Sequence, residues 1–280
     1  MTTREQEETE HYETHRNYFR EVLRTIHSIM LTNYGMRQIS VRPIGSGGSR
    51  LSIPIKIVGV NDKGGNVRFF GKILGSNDLM TARAIQVVKN IYLEMNSKDP
   101  MFGFAKSSEE MARHQYETMS AIYALGLPTA RPFGYHNIND ILWLLVTEFL
   151  DARPINSAEE VTSEVMDTVF GYLKRMHKAN IYHGDIKPDN IMLGDKVYIL
   201  DVGRYLEEAS THHKQAYDLA SQIASFTGYQ PPEEIVKIAR RHYSQSDIKA
   251  AAEYIELIQR RPDFALTDEK KDKLLRLMRS

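Results

Sequence analysis

The sequence predicts an α+β fold of two lobes, a strand-rich half followed by a helix-rich half. Between residues 39 and 75 the apolar residues follow a strand-like period, broken by glycine-rich turns. Beyond residue 201 the spacing is almost entirely helical. One extended crossing joins the two patterns. These changes of period set the expected organisation: a helical extension over 1–38, an N-terminal lobe over 39–150 and a C-terminal lobe over 151–280.

Within the extension, Tyr18, Phe19, Val22, Leu23, Ile26, Ile29 and Met30 recur at helical spacing, and Gly35 is the stop. This predicts a helix that packs on its own chain; the alternative is a helix that docks a protein partner. Strands are expected at 39–44, 51–60 and 67–74, the last two separated by the turn cluster Asn61 to Asn66. Short turns of this kind connect antiparallel strands. Helices follow at about 78–95 and 107–125, the second ending at Gly126 with Pro128 just beyond. Phe133-Gly134-Tyr135 and Ile141 to Phe149 are a further pair of strands. Ser157-Ala158-Glu159-Glu160 has the form of a capping box, and it predicts that a long helix opens there. Its buried stripe is Val161, Val165, Val169, Tyr172, Leu173 and Met176. Pro231-Pro232-Glu233-Glu234 starts another helix, and Asp268 and Glu269 start the last.

The 280 residues carry 36 basic and 36 acidic side chains, so net charge gives no general attraction to nucleic acid or anionic lipid. The absence of cysteine excludes disulfides, cysteine nucleophiles and thiolate metal sites. Met1 to Glu10 has no apolar signal core, and no apolar run is long enough to span a bilayer, so the expectation is a soluble cytoplasmic protein without membrane association.

The chemistry lies in Tyr182-His183-Gly184-Asp185-Ile186-Lys187-Pro188-Asp189-Asn190, followed by Ile199-Leu200-Asp201-Val202-Gly203. Asp185 can accept the proton of an attacking hydroxyl, while Asn190 and Asp201 can hold Mg²⁺ (or Mn²⁺) against the phosphates of ATP. Oxygen ligands of this kind suit those metals. The glycines of Gly45-Ser46-Gly47-Gly48-Ser49 lie between two strands, where backbone N–H groups can approach a triphosphate; a plain hairpin turn is the alternative.

The paired motifs resemble the catalytic loop and metal-binding turn of the protein-kinase-like superfamily. Gly184 stands where many members have arginine, and Val202 where they have phenylalanine. The resemblance implies a two-lobed kinase fold, with an antiparallel-sheet N-lobe and a reduced helical C-lobe. It further implies that Lys72 is the third-strand lysine that pairs with the α- and β-phosphates, with Lys56 as rival. Glu117 is the implied partner of that lysine, with Glu109 and Glu110 as rivals. Glu148 to Leu150 is the implied adenine hinge, although strand burial alone also accounts for that run. The site residues expected to bind the nucleotide are therefore Gly45, Gly47, Gly48, Ser49, Lys72, Glu117, Glu148 and Leu150.

The segment between Asp201 and Asp218 is short and lacks Ala-Pro-Glu, so a full peptide-binding activation segment does not fit. Asp218 resembles the buried helix aspartate that braces the catalytic loop. His-Gly-Asp and the compact plan are similar to the RIO kinases, the small kinase of the tRNA threonylcarbamoyl complex, lipopolysaccharide-core sugar kinases and aminoglycoside phosphotransferases. Lys187 instead matches the protein Ser/Thr kinase pattern, where a lysine neutralises the transferring phosphoryl group. The expected activity is that of an ATP-dependent phosphotransferase. A protein Ser/Thr hydroxyl is the first choice of acceptor, and a sugar or antibiotic-like hydroxyl is the alternative. A slow ATPase acting as a switch or scaffold is a reading of a different class.

Overall fold

A computed structural model describes residues 3–44 and 52–280, with side chains described over 17–44, 52–75 and 83–280. In chain order the elements are α1 (Thr3–Tyr34), β1 (Arg37–Pro43), β2 (Ile53–Val60), β3 (Asn66–Leu74), α2 (Ser76–Met95) and α3 (Ser108–Ala124). Then come β4 (Pro132–Asn139), β5 (Leu142–Glu148), β6 (Arg153–Pro154), α4 (Ser163–Lys178), β7 (Ile191–Leu193) and β8 (Val197–Ile199). The chain closes with α5 (Thr211–Ser225), α6 (Pro232–His242), α7 (Gln245–Ala252), α8 (Ile255–Gln259) and α9 (Asp268–Arg279). Two compact units form. The first comprises 1–79, 107–112 and 133–149; the second comprises 80–106, 113–132 and 150–280.

The first unit is built on a five-stranded sheet of order β1-β2-β3-β5-β4. The β1–β2, β2–β3 and β3–β5 pairs are antiparallel. One face of the sheet carries Ile55, Ile57, Ile73, Leu144 and Val146, which pack with Val22, Ile26 and Met30 of α1. The amphipathic helix therefore buries Val22, Ile26 and Met30 of its stripe on its own chain, while Tyr18 and Phe19, in its earlier turns, stay exposed. Gly35 ends the helix in a left-handed conformation, φ +60°, with its N–H donating to Leu31 O at 3.2 Å. The left-handed φ is what asks for glycine there; a Cβ would meet only the movable carboxylate of the exposed Asp62 side chain. Alternation along β3 and β5 puts Lys72 and its register partner Leu145 on the face opposite α1.

The second unit is helical around a large apolar core to which α4, α5, α6, α7, α8 and α9 all contribute. The hairpin β7–β8, in register Ile191↔Ile199, joins β6 in a three-stranded sheet. One expectation is corrected here. Ser157 does not cap a helix: its hydroxyl donates to Pro154 O at 2.8 Å and closes a single 3₁₀ turn over Ile155–Ser157. Ala158 then leaves in an extended conformation. The helix opens at Ser163, where the Thr162 hydroxyl accepts from the Val165 N–H at 3.3 Å. What excludes a helix here is the backbone: Ala158, the position that would be the first helical residue after a Ser157 cap, is extended at φ −87°, ψ 141°. Val161 is fully buried all the same, ahead of the helix rather than within it. Among the described residues no helix is long and apolar enough to cross a membrane.

Candidate active site

The site in the second unit is assembled around Asp218 on α5, which has no solvent exposure. Its Oδ2 accepts the His183 N–H at 2.7 Å, and its Oδ1 accepts the Gly184 N–H at 2.9 Å. The Tyr205 hydroxyl adds a bond to Oδ1 at 2.8 Å. His177 Nε2 lies 3.4 Å from Oδ2 and must be the donor, because a carboxylate only accepts. The Tyr243 hydroxyl is 3.1 Å from the other nitrogen of His177. One carboxylate thus holds the backbone of the loop immediately before Asp185. Burial and the nearby Asp218 charge push the Tyr205 hydroxyl far above its ordinary range, so it remains a donor.

Two glycines then let the catalytic loop cross the turn after Asp201. Gly184 has φ +75°, and a Cβ on it would lie 3.0 Å from the Gly203 carbonyl carbon. A Cβ on Gly203 would lie 2.6 Å from Gly184 O. The Gly203 N–H donates to His183 O at 2.7 Å across this contact, and His114 Nε2 donates to Gly203 O at 2.8 Å. The glycine in place of arginine at 184 is therefore what this backbone requires. His183 is fully buried; its Nε2–H donates to Leu200 O at 3.1 Å, and its Nδ1 accepts the Asp185 N–H at 3.3 Å. Burial pushes the imidazole below its ordinary value, against the opposing pull of Asp218, which keeps this tautomer neutral.

Asn190 ties the three key positions together. Its Nδ2 donates to Asp185 O at 2.8 Å, to Asp185 Oδ2 at 3.3 Å and to Asp201 O at 3.2 Å. Leu200 N–H returns to Asn190 O at 2.9 Å, so the β7–β8 hairpin fixes the spacing of Asn190 and Asp201. With the amide nitrogen turned toward the loop, the amide oxygen is the end that could hold a metal. Asp201 takes a left-handed φ of +54°, a sparsely used conformation for a non-glycine residue. No cluster of three or more His, Asp or Glu suited to a metal occurs among the described residues.

Asp185 keeps 29% of its side chain exposed and meets cations on both oxygens. Lys187 Nζ is 3.5 Å from Oδ2, and Arg261 donates to Oδ1 at 2.8 Å. Burial pushes the Asp185 carboxyl up, but Arg261, Lys187 and Lys89 more than reverse this and hold it well below the usual carboxylate range. Burial likewise works against the Lys187 ammonium, and Asp185 and Asp263 outweigh it, so the lysine stays charged. Asp185, Lys187, Asn190 and Asp201, the expected catalytic and metal residues, lie together in this loop and turn. Arg261, Asp263 and His114 are additions that no motif marks. Arg261 in Arg260-Arg261-Pro262-Asp263 looks in sequence like any surface arginine, and only the tertiary fold brings it to the loop.

The remaining expected residues stand as follows. Gly45, Gly47, Gly48 and Ser49 lie outside the described residues. Lys72 is buried on β3, the third strand, opposite Leu145 of β5. Its rival Lys56 places its ammonium 4.4 Å over the Phe149 ring. Glu117 is exposed on α3. Glu148 is exposed at the end of β5, and Leu150 is half-buried just beyond it.

The family model of the RIO domain matches residues 88–224, a span that contains the segments 182–190 and 199–203 and Asp218. A search among curated proteins finds no match. Among solved structures, a protein assigned as a fructosamine-3-kinase from Haemophilus somnus 129PT aligns at 10% identity. That alignment covers 93% of this chain and 98% of the other, with a TM-score of 0.49. The kinase domain of PknI from Mycobacterium tuberculosis aligns at 13% identity over 88% of this chain and 97% of its own, with a TM-score of 0.42. At these values neither neighbour says what this chain acts on. The RIO-domain match falls on the residues that build the braced His-Gly-Asp loop, and the chain is accordingly an atypical kinase of the protein-kinase-like superfamily.

Proposed function

We propose that this kinase transfers the γ-phosphoryl group of ATP to a Ser/Thr hydroxyl of a protein, in the presence of Mg²⁺ or Mn²⁺. The observation that carries the choice of acceptor is Lys187, with its ammonium 3.5 Å from Asp185 Oδ2. In that place a cation sits beside the carboxylate that receives the hydroxyl, where a transferring phosphoryl group needs charge compensation.

The donor set fits a hard divalent ion. Asn190 offers an amide oxygen, because its nitrogen is committed to Asp185 and Asp201 backbone oxygens. Asp201 offers a carboxylate. Two protein oxygens, completed by phosphates and water, are what Mg²⁺ usually takes from a protein. When bound, the ion supplies charge neutralisation at the phosphates. Asp185 orients the acceptor hydroxyl and has little affinity for its proton while Arg261 and Lys187 are charged. Proton loss would therefore come late, after the oxygen has begun to bond phosphorus. Lys72, Glu117, the 45–49 loop, Glu148 and Leu150 keep their nucleotide-side roles in this proposal through the family resemblance.

One observation favours the small-molecule alternative. Beyond Asp201 the chain is pinned: Tyr205 pairs with Phe102, Leu206 N–H donates to Met101 O at 2.9 Å, and Gly103 N–H donates to Arg204 O at 3.1 Å. A segment held in this way offers little extended backbone to a peptide. The test is labelled MgATP incubated with the protein and a lysate separated into macromolecules and metabolites. Label in a protein band, lost in Asp185→Ala and in chelator, is the expected result. Label only in the metabolite fraction would replace the acceptor, and label only in free phosphate would make the protein an ATPase.

A further inference from the structure

Arg261 lies in the turn between α8 and α9, outside the span matched by the RIO domain. Its side chain is only 9% exposed. Its guanidinium has a partner on every nitrogen: Nε donates to Asp263 Oδ2 at 3.2 Å, one terminal nitrogen to the Tyr217 hydroxyl at 3.0 Å, and the other to Asp263 Oδ2 at 2.7 Å and Asp185 Oδ1 at 2.8 Å. The Phe264 ring lies 4.9 Å from the guanidinium carbon. Tyr217 belongs to the core of the second unit and has no exposure. A cation held on all sides in this manner is a fixed strut. Withdrawing it would strand the Asp263 charge and leave the buried Tyr217 hydroxyl without this partner, so a latch that swings away does not suit the geometry.

Building on the phosphotransferase assignment, we propose that Arg261 is a positioning residue for phosphoryl transfer: it clamps Oδ1 of Asp185 and leaves Oδ2 as the oxygen that meets the acceptor. The planar fork is essential to this. A guanidinium can bond Asp185, Asp263 and Tyr217 together from one plane, whereas an ammonium is a compact point charge on a flexible stem. Oδ2 is then bounded by Asn190 Nδ2 at 3.3 Å and Lys187 Nζ at 3.5 Å, and it retains acceptor capacity for a hydroxyl. The C-terminal helices thereby reach the reacting carboxylate, a contribution that neither the catalytic loop nor the metal turn encodes.

The experiment compares Arg261→Lys and Arg261→Met with the unaltered full-length protein. It measures turnover of labelled MgATP per nucleotide-binding molecule, the Michaelis constant for ATP and thermal stability. A misplaced reacting group costs on the order of 10²-fold in rate. Turnover should fall about 10- to 100-fold in both variants, while the Michaelis constant for ATP stays within about twofold, because the lost interaction matters in the transition state. A residue that only supports the fold would lower thermal stability and leave the rate per binding molecule unchanged. That result, or a lysine variant with full turnover, overturns the proposal. If the methionine variant does not fold, the lysine variant decides alone, since it keeps the charge and most of the stem. Asp185→Ala, run in parallel, separates the two levels. Turnover equal to wild type in Asp185→Ala removes the phosphotransferase assignment and the Arg261 role with it. An inactive Asp185→Ala beside a fully active Arg261→Lys removes the Arg261 role only.

Discussion

Replacing Asp218 by asparagine tests how the catalytic loop is held. The aspartate accepts on both oxygens: Gly184 N–H and the Tyr205 hydroxyl on Oδ1, His183 N–H and His177 Nε2 on Oδ2. Asparagine keeps one acceptor oxygen and turns an NH₂ group toward the other pair of donors. If the NH₂ takes the Oδ1 side, Tyr205 can turn to Lys214 O, 3.3 Å away, but Gly184 N–H is left facing a donor. If it takes the Oδ2 side, His183 N–H is the group stranded. In either orientation about two buried polar groups lose their partner, at about 1–3 kcal/mol each, or about 2–6 kcal/mol together. That is a large part of the 5–15 kcal/mol typical of a folded domain. Denaturant unfolding followed by far-UV circular dichroism measures the loss, because the second unit is mostly helical. Turnover per folded molecule should fall as well, by about 10²-fold, since the loop that carries Asp185 loses its anchor. An Asp218→Asn protein within about 1 kcal/mol of wild type and with full turnover would refute the bracing role.

Gly203→Ala should cost about 1–3 kcal/mol, because its Cβ would meet Gly184 O at 2.6 Å and only backbone can yield. Its combination with Gly184→Ala should be clearly non-additive in a double-mutant cycle, as both act on one contact. Stability should decline as pH falls below about 6.5, since His183 and His136 are both held below that value by burial and the unfolded chain takes up their protons first. The slope is at most about 1.4 kcal/mol per pH unit for each histidine, and His183→Gln should show a shallower fall between pH 6.5 and 5 in denaturant titrations. Equal slopes would exclude a neutral buried His183. Lys187→Ala should lower turnover far more than it raises the Michaelis constant for ATP; an unchanged rate would move a small-molecule acceptor to first place.

The fold was legible wherever the apolar period was clean. The buried part of the α1 stripe, Val22, Ile26 and Met30, and the β2–β3 turn both follow from local sequence. Ser157 misled because a capping-box pattern records residue types and cannot show that the backbone leaves Ala158 extended after a single 3₁₀ turn. Asp185, Lys187, Asn190 and Asp201 could be found because their chemistry imposes a fixed spacing along one short stretch. Arg261 could not. It reaches Asp185 across a sequence separation of 76, and its burial depends on α8, α9 and Tyr217 all being in place. The crossing of Gly184 over Gly203 was half-visible: both glycines belong to the motif, but the clash that demands them exists only between two backbones.

The seat of α1 on the sheet has a practical consequence for anyone producing this protein. Val22, Ile26 and Met30 seal the face formed by Ile55, Ile57, Ile73, Leu144 and Val146. Cutting the chain near residue 36, where the sheet begins, would leave that face wet and presents the kind of apolar patch through which domains aggregate. A shortened version should therefore keep everything from about Tyr18 onward, and tags belong ahead of α1. Losing the helix would cost solubility first, whatever happened to the chemistry of the second unit.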